Sequence, residues 1–248
     1  MMGLYKKNEV TFSIVCIVVY VVLMSAADSI SKGLGKEKLI TAPVCIILTV
    51  LLFIMLKKND LFRKHGLTAV VGGCKQYLYF LPLMIIASVN LWNGAAMKFP
   101  GYVTVLYIIS MICVGFIEEM LFRGFLFTAL CKNNVKTAVI ISSLTFGIGH
   151  IVNLLNGAPL FETLLQICYA AAIGFLFTVI FYRSGSIIPC IITHSVLNSL
   201  SAFAVEASDL FDIAVAAFLT VVAVVYAIFI LKKVPAKEEN LPQESLTA

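Results

Sequence analysis

Long apolar segments cover most of this 248-residue sequence, and they constrain its fold more than any other feature. A run of about 18 or more apolar residues can cross the hydrocarbon core of a bilayer as a helix, which satisfies its own backbone hydrogen bonds. Eight segments meet this description: residues 9–27, 39–56, 77–97, 101–131, 136–155, 160–182, 186–204 and 210–231. The sequence therefore predicts an all-α, polytopic membrane protein of about eight transmembrane helices. The fourth segment is long, so we expect it either to tilt steeply or to break near Gly115.

Composition excludes an ordinary soluble domain. Hydrophobic residues make up 61% of the chain and charged residues only 12%, whereas soluble domains average about 25% charged. The net charge of +5 lies in short loops, so it indicates membrane topology and not a nucleic-acid partner. The seven cysteines include no CxxC pair, which argues against a disulfide framework and against a cysteine metal site.

Loop charges predict the orientation of the chain. If the N-terminus is cytoplasmic, most loop lysines and arginines are cytoplasmic as well, as the positive-inside rule requires. Both termini are therefore predicted in the cytoplasm. Residues 1–8 are the expected cytoplasmic N-terminus, residues 9–231 the transmembrane domain, and the polar residues 232–248 a disordered tail. The short loops and the mass of 27.1 kDa indicate a multi-pass protein of a bacterial cell membrane.

Three charged residues interrupt the fourth apolar segment, in the stretch FIEEMLFRGFLF. A charge at the bilayer centre costs roughly 2.5–3.5 kcal/mol on insertion scales, so such residues are rare and usually functional. On a helix, Glu119 and Arg123 are i,i+4 neighbours that can pair, while Glu118 is rotated by about 100°. All three could form a structural ion-pair network. Alternatively, Glu118 has no charged partner and is the chemical group, which suits a general base or acid.

Two further segments carry one histidine each. Phe146 and His150 are one helical turn apart in SLTFGIGHIVNLLNG, and His194 and Asn198 are one turn apart in SGSIIPCIITHSVLNSL. Each pair could be a satisfied core histidine or a polar face that joins two helices. A histidine and an asparagine at this spacing could equally hold a developing oxyanion. Together with Glu118, the set fits hydrolysis of an amide bond by an activated water.

Other polar and small residues in the spans have less specific signals. Glu162, Gln166 and Tyr169 form a stripe that could line a water-filled cavity or lie near the membrane edge, and we assign Glu162 to the edge. Gly147 and Gly149 are expected to let another helix approach closely.

The charged and histidine motifs together resemble a known family. The first motif has two glutamates, then three residues and an arginine, at Glu118, Glu119 and Arg123. The second has a phenylalanine, three residues and a histidine, at 146–150. The third has a histidine, three residues and an asparagine, at 194–198. This order is similar to that of the CAAX-prenyl-protease and bacteriocin-processing (CPBP or Abi) family of intramembrane proteases. The similarity covers a core of about residues 110–204.

The resemblance implies an endopeptidase that cuts within or beside the bilayer. By its pattern, Glu118 is the catalytic base, His150 helps to position the water, and His194 with Asn198 stabilises the oxyanion. The supporting residues are Glu119, Arg123 and Phe146. No cofactor is expected from the glutamate mechanism. One glutamate and two histidines also match a catalytic zinc site, so zinc held by Glu118, His150 and His194 is the alternative.

The expected substrate is a membrane-associated peptide or a lipidated protein in contact with the bilayer. Peptide maturation or bacteriocin self-immunity is the preferred context, and processing of CAAX tails is a further option. Two other functions stay open on the same residues. One is a non-proteolytic scaffold or immunity protein of this fold. The other is a proton-coupled transporter, although the sequence has no visible inverted repeat.

Overall fold

The computed structural model describes residues 2–70 and 80–234, and this part of the chain is built from helices and their connections. The predicted all-α fold is confirmed. The α-helices are α1 Met2–Lys7, α2 Glu9–Gly33, α3 Thr41–Lys58, α4 Leu81–Ser88, α5 Gly101–Glu119, α6 Thr128–Cys131, α7 Val135–Gly149, α8 Leu160–Ser184, α9 Ile188–Leu200 and α10 Asp209–Lys233. Short 3₁₀ helices cover Val89–Leu91, His150–Leu154 and Ser201–Phe203, and a π-helical segment, Met120–Phe127, joins α5 to α6.

Six helical stretches in the described chain are long and apolar enough to cross a membrane. Two further apolar stretches, Leu81–Leu91 and Ile188–Phe203, are shorter, so the predicted count of eight is approximate. The six spans are Glu9–Gly33, Thr41–Lys58, Gly101–Cys131, Val135–Leu154, Leu160–Ser184 and Asp209–Lys233. The chain is therefore an integral membrane protein, as predicted.

Gly115 does not break the fourth span, which is continuous from Gly101 to Cys131. Instead, Gly115 marks a close approach between α5 and α9. A Cβ at this position would lie 2.8 Å from the backbone nitrogen of Ser195, a distance that real Cβ atoms essentially never show. The break that was one of the two expectations for this segment is therefore wrong, because the missing side chain is used for packing and not for a turn.

Local sequence signals set several helix ends. The Asn8 side chain accepts a hydrogen bond from the backbone N–H of Thr11 at the start of α2, and Asn134 does the same for Thr137 at the start of α7. Helix α8 ends at Gly185, which adopts the left-handed conformation with φ of 68°. At the C-terminus, α10 continues through residues 232 and 233, so the predicted tail begins too early. Residues 235–248 of that tail lie outside the described residues.

The π-helical segment Met120–Phe127 lies in the middle of the helix that carries the charged motif. Side chains from other elements bond to its carbonyl groups. Ser142 on α7 donates to the carbonyl oxygen of Phe122 at 2.9 Å, and Nδ1 of His65 lies 2.6 Å from the carbonyl oxygen of Gly124. A π-helical turn disturbs the usual backbone ladder and often occurs at functional sites. Here, these two long-range contacts satisfy carbonyl groups of the π-helical segment.

Contacts between loops define two ends of the helical bundle. At one end, Glu9 pairs with Lys64 at 2.7 Å and with Lys132 at 3.0 Å, and Arg183 donates to the carbonyl of Leu231 at 2.9 Å. We call this the basic end; it comprises residues 2–9, 57–68, 131–136, 183–187 and 231–234.

At the other end, the distal end, Lys32 donates to the carbonyl of Asn156 at 2.6 Å, and Asn93 donates to the carbonyl of Glu206 at 2.8 Å. The distal end comprises residues 28–40, 90–98, 153–162 and 201–212. Most loop lysines and arginines of the described chain thus lie together at the basic end, in the arrangement that the positive-inside rule predicts for cytoplasmic loops.

Candidate active site

The predicted catalytic residues converge on one cavity between the helices. Its volume is about 540 Å³, and its lining includes Glu118 from α5, His150 after α7, and His194 and Asn198 from α9. Phe146 also lines it. These side chains come from three different helical segments, so the tertiary fold brings together motifs that are far apart in the sequence.

Glu119 and Arg123 lie behind the cavity wall, and both are fully buried. Nη1 of Arg123 donates to Oε1 of Glu119 at 3.0 Å, the pair that their i,i+4 spacing predicts. The same carboxylate oxygen lies 2.9 Å from Nδ1 of His194. An ionised carboxylate can only accept, so Nδ1 of His194 carries a proton and donates it to Glu119. Glu119 therefore links the arginine to a histidine of the cavity.

Aromatic rings complete the surroundings of Arg123. Its guanidinium lies 4.1 Å from the ring centroid of Phe146 and 5.7 Å from that of Phe177. Phe146 in turn contacts the rings of His150 and His194 edge to face, at centroid distances of 5.3 and 5.6 Å. A cation over a ring face is attracted by the ring quadrupole, most strongly when desolvated. Phe146 thus packs against the arginine and both histidines at once.

Glu118 has a partner that the sequence did not reveal. The hydroxyl of Tyr20, on α2, donates to Oε1 of Glu118 at 2.8 Å. The other carboxylate oxygen, Oε2, lies 3.7 Å from Nε2 of His194. The idea that Glu118 lies alone in a dry pocket is therefore wrong: one oxygen is held, and its side chain retains 18% exposure toward the cavity.

Tyr20 lies 98 residues before Glu118, in a segment recognisable only as an apolar span. No local spacing could pair the two residues. The only sequence signal is one phenol in the middle of that apolar run.

His150 lies where α7 ends and a 3₁₀ helix begins. Its Nδ1 is 3.0 Å from the carbonyl oxygen of Phe146, so Nδ1–H is the donor and Nε2 of the neutral ring is left as an acceptor. Gly147, one turn earlier, packs tightly against α8: a Cβ there would lie 2.7 Å from the Cβ of Ala171. The expected close approach is thus found at Gly147. It is not found at Gly149, where the nearest atom would be 3.9 Å away.

The polar stripe on α8 faces the same cavity. Glu162, Gln166 and Tyr169 all belong to its lining, and Gln166 accepts a hydrogen bond from Asn153 at 2.8 Å. Assigning Glu162 to the membrane edge alone is therefore wrong. It lies in the first turn of α8, where the end of the helix and the opening of the cavity coincide.

The described side chains do not assemble a three-ligand metal site. No group of three or more histidine, cysteine, aspartate or glutamate side chains in the described chain is arranged to hold a metal ion. Glu118 and His194 approach each other, but His150 does not complete the set, and Nδ1 of His194 is directed to Glu119. The zinc alternative would need these three donors to converge on one point, which they do not do in this arrangement.

Comparison with known proteins agrees with the motif resemblance. Residues 100–200 match the family described as Type II CAAX prenyl endopeptidase Rce1-like. No curated protein and no solved structure matches the chain. The matched segment contains all three motifs and overlaps most of the predicted core, so the predicted relation to the CPBP and CAAX proteases is confirmed. The match supports a CAAX-type intramembrane endopeptidase in general.

Proposed function

We propose that this membrane protein, whose residues 100–200 match the type II CAAX prenyl endopeptidases, cuts peptide bonds in the bilayer with a water activated by Glu118. One observation carries the proposal: Glu118, His150, His194 and Asn198 line a single cavity although they come from three separate helical segments. The proposal uses no metal, because the described donors do not form a three-ligand site.

Glu118 is the proposed base. Tyr20 holds Oε1, which leaves Oε2 to accept a proton from a water in the cavity. Nε2 of His150 is an acceptor and can take the second hydrogen bond of the same water. With both hydrogens engaged, a lone pair of the water oxygen is directed at the substrate carbonyl carbon, which is the arrangement that general-base catalysis needs.

His194 and Asn198 are the proposed oxyanion donors. Because Nδ1 of His194 already donates to Glu119, its Nε2 can donate only when the ring is an imidazolium. The Nδ2 group of Asn198, one turn further along α9, supplies the second donor.

The reaction closes without a further reactant. Attack by the water oxygen forms a tetrahedral intermediate while its proton passes to Glu118, and the negative charge develops on the former carbonyl oxygen. When the C–N bond breaks, Glu118 returns the proton to the leaving nitrogen. The products are a carboxylic acid and an amine; the acid passes its proton to the amine, so a carboxylate and an ammonium ion leave the site and Glu118 is regenerated as a carboxylate.

For the physiological role, we prefer maturation of a membrane-associated peptide or self-immunity to a bacteriocin. A prenylated CAAX tail, which the matched family's name implies, is the other candidate substrate. Both substrates share the chemistry above and differ in how the scissile segment reaches Glu118.

Purified protein in detergent or nanodiscs, incubated with membrane peptides and prenylated CAAX peptides, tests the function. The wild type should release products, and Glu118→Gln should release none, because the amide cannot accept the proton. Cleavage by the wild type should be unaffected by a chelator. A Glu118→Gln variant that retained cleavage would refute Glu118 as the base, and a phenotype in cells independent of Glu118 would favour a scaffold role. Chelator-sensitive cleavage restored by zinc would instead favour a metal mechanism.

A further inference from the structure

The cavity that contains Glu118 extends toward only one end of the bundle. Its lining includes Asp28, Lys38, Asn156, Glu162 and Asp212, all from the distal end. No residue of the basic end belongs to the lining among the residues that the structure describes. The polar residues of the lining therefore trace a path from the candidate base to the distal loops.

A layer of packed side chains closes the opposite direction. Arg123 and Phe125 are at most 2% exposed, and every residue of the π-helical segment is buried. Beyond them, the rings of Tyr5, Phe12 and His65 contact the ring of Phe125 edge to face at 4.8–6.5 Å. Tyr5 and His65 belong to the basic end, so this aromatic layer separates the cavity from the basic loops.

The depth of the path can be read along α2. Tyr20 touches Glu118, and Asp28 lies eight residues later at the distal end. At about 1.5 Å per helical residue, the two positions are roughly 12 Å apart. An extended peptide advances about 3.3 Å per residue, so about four unfolded residues must enter before a peptide bond reaches Glu118.

The two ends of the bundle differ in charge, and that difference indicates the side of the membrane to which the cavity opens. Basic loops are retained in the cytoplasm, so the basic end is cytoplasmic and the distal end faces outward. Lys132 and Arg183 belong to the basic end, whereas the cavity opening carries Glu162 and Asp212 with Lys38 paired to Asp28 at 2.7 Å.

We infer that the substrate enters from the extracytoplasmic side, and that the bond cut belongs to an unfolded segment of a peptide exposed on the outer face of the membrane. That a substrate uses this route rests on the proposed protease function. The side of the membrane to which the cavity opens is inferred separately, from the geometry of the cavity and the charges of the loops. It favours an exported or outward-facing peptide over a lipidated tail that arrives from the cytoplasm.

Cysteine labelling from each side of the membrane tests the sidedness. Glu162→Cys places a thiol at the cavity opening, and Lys58→Cys places one on the exposed end of α3 at the basic end. Intact cells are treated with a membrane-impermeant maleimide, and labelling is measured as the increment over the wild-type chain. Glu162→Cys should label in intact cells, and Lys58→Cys only after lysis. Asn156→Cys, on the connection that leads into α8 and also in the cavity lining, repeats the test if Glu162→Cys does not accumulate.

Peptide cleavage by the same proteins distinguishes a failure of the proposed access route from a failure of the proposed protease function. Attaching the maleimide at Glu162→Cys should lower turnover at least tenfold by filling the path, and the same label at Lys58→Cys should not. If the distal thiols label only after lysis, or in neither condition, the access route is overturned even when Glu118-dependent cleavage persists. If they label in intact cells but the wild type cleaves no peptide, the protease proposal fails and the sidedness stands.

Discussion

The buried ion pair between Glu119 and Arg123 makes a prediction that needs no known substrate. Both side chains are 0% exposed, and their closest atoms are 3.0 Å apart. The carboxylate is also the only hydrogen-bond partner that the described residues offer the guanidinium, since Nε and Nη2 of Arg123 have none. Replacing Arg123 by methionine therefore leaves a desolvated carboxylate without its cation.

Removing one partner of such a pair typically costs about 3–5 kcal/mol, because the other charge stays buried. Native domains are stable by only about 5–15 kcal/mol, so Arg123→Met should remove a large fraction of the stability. Each 1.4 kcal/mol is about a factor of ten, so the folding equilibrium should fall by roughly two to four powers of ten. The double variant Glu119→Gln/Arg123→Met should cost less than Arg123→Met alone, because neither charge then remains.

Titration of the folded protein with SDS in mixed micelles measures these free energies of unfolding. A matched control is the ion pair of Lys64 with Glu9, which is as short, at 2.7 Å, but leaves the lysine side chain 37% exposed. Lys64→Met should therefore cost at most about 1 kcal/mol. The reasoning is refuted if Arg123→Met costs no more than Lys64→Met, or if the two substitutions in the buried pair are simply additive.

Three further perturbations follow from contacts in the structure. Tyr20→Phe removes the 2.8 Å hydrogen bond to the Glu118 carboxylate, which is worth about 1.5–3 kcal/mol, so kcat of peptide cleavage should fall roughly 10- to 150-fold at similar KM. The control is Tyr102→Phe, because Tyr102 is 59% exposed on α5; this variant should change neither constant. Gly147→Ala places a Cβ 2.7 Å from Ala171 on α8 and should lower the free energy of unfolding by about 1–3 kcal/mol. Gly149→Ala, whose Cβ would be 3.9 Å from its nearest neighbour, should leave the free energy of unfolding unchanged or slightly higher. Equal effects of the two substitutions would contradict the close packing at Gly147. Burial lowers the pKa of His65 to about 4 from its ordinary value of 6.5, so between these pH values the unfolded chain binds a proton that the folded chain does not. A stabilisation of roughly 3 kcal/mol, complete above pH 6.5, should therefore be lost as the pH falls to 4. His65→Gln should flatten this dependence of the free energy of unfolding on pH, measured by SDS titration at each pH.

Much of the fold is determined by local properties of the sequence. Hydropathy over about 18 residues predicts where helices cross, and six of the spans follow it. The i,i+4 spacing fixed the pairing of Glu119 with Arg123, because a helix holds those residues on one face whatever surrounds it. The two short stretches, Leu81–Leu91 and Ile188–Phe203, match the prediction less closely, because the described helices there are shorter than the apolar segments 77–97 and 186–204.

The motifs also named residues that the fold brings to one cavity, but they could not give the geometry of that cavity. His194 and Glu119 are 75 residues apart, and Tyr20 and Glu118 are 98 apart. No periodicity connects such pairs; only the packing of α2 and α9 against α5 does. The sequence by itself thus determined a helical membrane protein with its chemical groups inside the spans. The tertiary structure alone decided which oxygen of Glu118 is held and toward which end the cavity opens, because these depend on contacts between helices that hydropathy and spacing along one helix do not encode.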